Sequence, residues 1–123
     1  MILLDTHAIV WWHRGERRAR RLGRSPKGIY ISPASVLELQ FLVEIDRIRL
    51  RSGSAVSDLV ADDRWALDDP PAAEWFERAC VEAWTRDPFD RLLVAHARMR
   101  GWRLATADTM LLDRLDASTT LEL

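Results

Sequence analysis

Cys80 is the only cysteine in the 123-residue chain, so no disulfide can close within it, which suits a reducing compartment. No apolar run approaches the roughly 20 residues that span a bilayer. The first residues carry no basic stretch leading into a long apolar segment, so no signal peptide is expected. Net charge is almost missing as well. The formal value is -1 at pH 7, so bulk charge announces no polyanion partner. The histidines His7, His13 and His96 show no paired spacing, and with one cysteine this argues against a Zn²⁺ site. No glycine-rich turn follows the first apolar run, which disfavours a dinucleotide-binding protein. There is no internal repeat and no low-complexity segment. With 48% hydrophobic content, the expectation is a soluble, cytoplasmic protein with one domain over residues 1–123 and no membrane contact.

What is present begins with Ile2-Leu3-Leu4, a continuous apolar run of the kind found in parallel strands buried on both faces. It ends on Asp5. A carboxylate at the carboxyl end of a central strand sits where open α/β sheets place their ligands. Asp is also a favoured helix N-cap, and the stretch alone does not separate the two roles. A helix is expected over Thr6–His13, then a short basic helix over Glu16–Leu22, a turn at Pro26 and Gly28, and a strand at Ile29–Ile31. Ser32-Pro33 reads as a helix start, with Ser32 as cap and Pro33 in the first turn. That helix continues towards Ile48 with a wide apolar face, as if packed on two sides. Ser54–Val60 reads as a helix and Arg64–Leu67 as an extended piece. After Pro70-Pro71 a helix is expected over Ala72–Trp84. Another is expected from Pro88 to a stop near Gly101, capped by Asp87. Trp102–Thr106 is a strand, a helix starts at Asp108 or Thr109, and Thr119–Leu121 is a last strand. This alternation argues for an α/β sandwich with a central, mostly parallel sheet.

Four acids stand out by position. Asp5 ends a strand, Glu38 interrupts a broadly apolar helix, Asp90 lies in a first helical turn, and Asp108 follows a strand. In a parallel sheet these places gather at one edge. Carboxylates gathered there repel one another and need a cation to ionise together. Mg²⁺ or Mn²⁺ takes carboxylates while keeping several waters, polarises a phosphate and activates water. Asp90 and Asp108 also suit helix starts, through the dipole and the cap respectively. The tandem Trp11-Trp12 reads as core. The basic residues are uneven: Arg14, Arg17, Arg18, Arg20, Arg21, Arg24 and Lys27 stand against the single acid Glu16. Such a run is either a solvated face or a contact for a phosphate backbone.

The segments MILLDTHAIVWW, ISPASVLELQFLVEIDRIRL and RDPFDRLLVAHARMRGWRLATAD resemble, in order and spacing, the PIN-domain ribonucleases. Within them the match is to VapC-type toxins of bacterial toxin–antitoxin pairs. The resemblance implies an α/β/α fold and a Mg²⁺- or Mn²⁺-dependent endoribonuclease. It places the family's acids at Asp5, Glu38, Asp90 and Asp108, with Asp5 and Asp90 holding the metal and Glu38 serving the attacking water. Asp87 is left as a cap. Thr6 and Thr106 are expected to line the pocket, and Arg14, Arg17, Arg18 and Arg21 to contact RNA. A small antitoxin that masks the site and a homodimer are the implied protein partners. The alternatives are an RNA-processing PIN nuclease outside a toxin pair and a binding module without catalysis. Residues 51–69 match no motif. A phosphoaspartyl hydrolase is disfavoured, because His7 stands where such enzymes carry a second Asp.

Overall fold

The computed structural model describes residues 1–24 and 28–123. Ser25, Pro26 and Lys27 lie outside the described residues, and with them the turn expected at Pro26 and the last member of the basic run. Five strands form one sheet: β1 (Ile2–Leu4), β2 (Ile29–Ile31), β3 (Ala66–Leu67), β4 (Arg103–Thr106) and β5 (Thr120–Glu122). Their spatial order is β3-β2-β1-β4-β5, and every pairing is parallel. The helices are α1 (Thr6–His13), α2 (Pro33–Glu44), α3 (Val56–Val60), α4 (Ala72–Val81), α5 (Pro88–Arg100) and α6 (Thr109–Arg114).

β1 is central because its three residues satisfy both faces at once. Side chains alternate across a strand. Ile2 and Leu4 join a cluster with Ala8 and Ile9 of α1, Leu39 of α2 and Leu59 of α3. Leu3 points the other way, to Leu93, Val94 and Ala97 of α5 and Leu111 of α6. The result is the expected helix–sheet–helix sandwich. Each fully buried Leu contributes about 1.5–3 kcal/mol of transfer free energy. The winding direction reverses at β1: β2 and β3 lie on one side, β4 and β5 on the other. The crevice at such a switch point, outside the carboxyl ends of the strands, is where open α/β sheets bind ligands. Here it opens between Asp5, after β1, and Asp108, after β4.

A buried polar chain fixes the start of α2 beside that crevice. His96 of α5 is fully buried; Nε2 lies 2.7 Å from Asp68 Oδ2, and Nδ1 lies 2.9 Å from Ser32 Oγ. Burial holds its pKa down, so the ring is neutral at pH 7. Asp68 is itself pushed up by burial, but bonds from Arg100 and His96 outweigh this and leave it below the usual range. An ionised Asp68 only accepts, so His96 carries its proton on Nε2 and Nδ1 accepts from the Ser32 hydroxyl. Ser32 Oγ is then free to accept from the Ala34 amide at 3.2 Å and cap α2. The three residue types of a hydrolytic triad are present, but Ser32 and His96 are sealed from solvent, so the arrangement positions α2 and attacks nothing.

The elements depart from expectation at several points. The basic stretch after α1 forms two 3-10 turns, Arg17–Ala19 and Leu22–Arg24, because Gly23 and the short spacing give no full helical turn room to propagate. Helix α2 stops at Glu44 and not near Ile48: Ile45 caps it and Asp46 takes a left-handed φ of 58°. Its second apolar stripe is not core. Leu37, Phe41 and Ile45, spaced four apart, are 64%, 47% and 45% exposed. On α4 only Trp75 and Ala79 are buried, whereas Phe76, Cys80 and Val81 are exposed, and the helix ends before Trp84. Among the described residues no helix is long and apolar enough to cross a membrane.

Candidate functional site

Asp5 occupies the N-cap position of α1, yet its side chain makes no capping hydrogen bond. Its Oδ2 instead accepts the Thr106 hydroxyl at 2.6 Å. The other helix starts in the crevice behave as caps should. Asp87 Oδ1 accepts from the Phe89 and Asp90 amides at 2.8 and 3.3 Å. Asp108 Oδ1 accepts from Met110 and Leu111 at 2.8 and 3.3 Å. A carboxylate at a cap position that leaves the cap unmade has been placed for something else. Each capping Asp also keeps its second oxygen outside the cap.

Asp5, Glu38, Asp87, Asp90 and Asp108 line one cleft of about 290 Å³, together with His7, Trp11, Arg18 and Ala107. Five carboxylates therefore face one cation. Burial pushes the Asp5 carboxyl up; the Thr106 hydrogen bond, the nearby His7 ring and the Thr6 amide oppose this, and Asp108 adds to it. Burial also raises Glu38, and Asp5 and Asp87 add repulsion. The Thr6 hydroxyl, which also bonds Ser35 Oγ at 2.9 Å, opposes this without outweighing burial. Asp90 is pushed up to about 7, first by burial and then by Asp87, Asp5, Asp108 and Glu38 in turn. The cleft thus holds more negative charge than its surroundings neutralise.

The structure brings all four acids singled out in the sequence to one crevice and adds Asp87, which sequence reasoning set aside as a cap. It does both, since α5 starts at the cleft wall. Thr6 and Thr106 do not line the cleft. Both are 0% exposed and sit behind its floor, Thr106 against Asp5 and Thr6 against Ser35. The four arginines do not form one face. Arg18 lines the cleft, with its guanidinium 4.1 Å from the Trp11 ring centroid. Arg14 lies in an adjoining groove. Arg21 donates to the Glu122 carbonyl at 2.9 Å and ties down β5. Arg17 sits exposed in a 3-10 turn outside the cleft. His7 and Trp11 were missed as cleft residues; their i, i+4 spacing from the strand end was the available signal.

Among the described residues no three His, Cys, Asp or Glu side chains stand close enough to enclose a metal ion by themselves. A closed Zn²⁺ site is therefore absent among them. An ion that keeps most of its waters and takes one or two carboxylates fits this open set of carboxylate donors, which is the habit of Mg²⁺. The cleft's excess negative charge fits it too. A second cavity of about 310 Å³, between α5, β4 and the segment before β5, holds no carboxylate and offers no such chemistry.

The family model described as PIN domain matches residues 2–117. The chain belongs to the PIN domain family. It is a PIN domain of the VapC type. It is 30% identical over 116 residues to Ribonuclease VapC22 of Mycobacterium tuberculosis, covering 89% of this chain and 88% of that one. Among solved structures the fold is similar to a toxin-antitoxin complex from Klebsiella pneumoniae, at a TM-score of 0.70 and 16% identity over 98% of this chain and 96% of that one. It is equally similar to VapBC2 from Rickettsia felis bound to a DNA fragment from its promoter, at 0.70 and 18%, over 99% and 98% of the two chains. At these identities the structural likeness carries the PIN fold, and the family match places the acidic cleft in its setting.

Proposed function

We propose that this PIN domain is an endoribonuclease that uses Mg²⁺ or Mn²⁺ and acts as the toxin of a toxin–antitoxin pair. The observation that carries the reading is the uncapped Asp5, held by Thr106 at the switch point beside Glu38, Asp90 and Asp108. Asp5 and Asp90 would hold the cation, and Asp108 would reach it directly or through water. When bound, the cation neutralises the carboxylates, polarises a phosphodiester oxygen and makes water easier to deprotonate. Thr106 keeps the Asp5 carboxylate in one orientation, as groups behind metal ligands commonly do. Glu38, its carboxyl raised above the ordinary value by burial, orients the attacking water and takes its proton.

The name of the 30% identical relative, a ribonuclease, supports RNA as substrate. The toxin-antitoxin neighbours support a protein that masks the cleft. The exposed ridge Leu37, Phe41 and Ile45 flanks Glu38 on α2 and supplies apolar surface for such a partner. A homodimer is proposed on the same family ground.

Purified protein incubated with RNA is expected to cut it internally in Mg²⁺ or Mn²⁺, and to stop when EDTA is added. Restored cleavage on adding back the cation completes the test. Cutting that ignores the chelator would rule this mechanism out.

A further inference from the structure

Two concave spaces meet along helix α1. One is the acidic cleft. The other, about 390 Å³, shares His7 and Trp11 with it and adds Arg14, Arg47 and Arg49, set against the acids Glu16 and Asp46. His7, Trp11 and Arg14 recur at i, i+4 and i+7, so they share one face of α1 running away from Asp5. Arg47 and Arg49 arrive from the chain leaving α2, where Asp46 turns it with a φ of 58°.

The charges in this second space are available. Both Arg47 and Arg49 are exposed, and no ion pair among the described residues involves either. Arg14 leans on Glu16 only at 3.8 Å, an exposed contact of little strength. The arginines of the cavity between α5 and β4 are different. Arg98 is bound to Glu82 at 2.8 Å, and Arg103 donates twice to the Thr120 carbonyl at 3.0 and 2.7 Å. Those guanidiniums are already used.

Where the two spaces join, one cation already lies over an aromatic ring and a second ring packs beside it, tilted by 42°. The Arg18 guanidinium is 4.1 Å from the Trp11 centroid, and the His7 ring centroid is 6.1 Å from that of Trp11. Trp12, the next residue, is engaged elsewhere, against Trp65 and Arg64.

We propose that this second space seats the RNA strand on one side of the cleavage point, with phosphates on Arg14, Arg47 and Arg49 and one base stacked on the Trp11–Arg18 layer. This rests on the ribonuclease reading above. An acidic cleft repels the phosphates that flank the one being cut, so cations outside it must hold the strand. A base laid on a protein ring has left its own stack, so the strand is unpaired at that point. Stacking tolerates any base, so this contact positions the strand without reading its sequence.

The test is steady-state cleavage of a labelled, unstructured RNA in Mg²⁺ at several salt concentrations. Arg47→Gln/Arg49→Gln is expected to raise KM about ten-fold, with kcat nearly kept. Its KM is expected to rise less steeply with salt, by about 1.4 in the log–log slope, as two lost single-strand phosphate contacts require. Trp11→Leu is expected to raise KM about 5- to 100-fold with the slope unchanged, and Trp11→Phe to restore most of the loss. Arg78→Gln, on α4, is the control and should match the unaltered protein. Trp11 also packs against the core, so melting curves accompany it; the exposed arginine pair carries the test if Trp11→Leu does not fold. KM and slope unchanged in the arginine pair, with cleavage intact, would overturn this proposal alone. An unaltered protein that cuts no RNA would overturn both readings together.

Discussion

Asp90→Asn is expected to make the metal-free protein more stable at pH 8 while removing its cleavage of RNA. The folded Asp90 carboxyl titrates at about 7, against an ordinary value of 3.8. The unfolded chain therefore loses this proton first. Asp90 contributes stability that is complete below about pH 4 and is lost as pH rises through about 7. Asp5 and Glu38 shift in the same direction. The metal-free protein should weaken steadily between about pH 4 and pH 8. Taken at face value the Asp90 shift is about 4 kcal/mol; discounted for solvent screening of a half-buried group, about 1–3 kcal/mol is expected. That is a rise in Tm of about 4–12 °C on substitution, for a chain of this size. Asn cannot ionise, so the slope of Tm against pH should flatten along with the gain. A substitution that stabilises the fold and abolishes the reaction marks a residue retained for chemistry. A fall in Tm at pH 8 would show that Asp90 is a structural acid.

Asp5→Asn is expected to lower cleavage by at least about 10³-fold with no loss of fold. Asn keeps the shape of Asp and still accepts the Thr106 hydroxyl, so the 2.6 Å bond behind the cleft survives. What is lost is the charge that holds a cation. Thr106→Val should lower cleavage by about 10- to 100-fold, the usual effect of removing a group that orients a metal ligand. The two values measured side by side separate holding the ion from orienting its holder. Equal losses in both would mean that the Asp5 charge serves the reaction only when Thr106 orients it.

Much of this site was readable in the residues. Ile2-Leu3-Leu4 has no polar interruption, so it had to be buried on both faces, and only the middle of a covered sheet offers that. Ser32-Pro33 and Asp87-Pro88 announce helix starts through chemistry local to a few residues, and both caps form as expected. The gathering of Asp5, Glu38, Asp90 and Asp108 followed from the parallel alternation of elements. The role of Asp5 was not readable, since a capping Asp and a ligand Asp look alike until the missing capping bond is seen. Periodicity could not tell a packed stripe from an open one, so Leu37, Phe41 and Ile45 looked like core. Trp11 and Trp12 are adjacent letters whose side chains leave the helix about 100° apart; both lean on the core, but only Trp11 also lines the cleft, while Trp12 turns to Trp65. The Ser32–His96–Asp68 chain joins residues 64 and 28 positions apart, a separation no local signal reports. The cap accounts for Asp87 completely, so nothing in the sequence points to its second place in the cleft lining.

The central claim is that the crowded carboxylates of this cleft are completed by a divalent cation. Binding an ion there must displace the proton that Asp90 holds up to about pH 7, because metal ligands bind deprotonated. Calorimetric titration of Mn²⁺ into the metal-free protein at pH 6.5, repeated in buffers of different ionisation enthalpy, counts that proton. The expected result is one site, a net release of protons on binding, and a smaller release in Asp90→Asn. No binding, or binding with no proton released from the unaltered protein, would contradict the account.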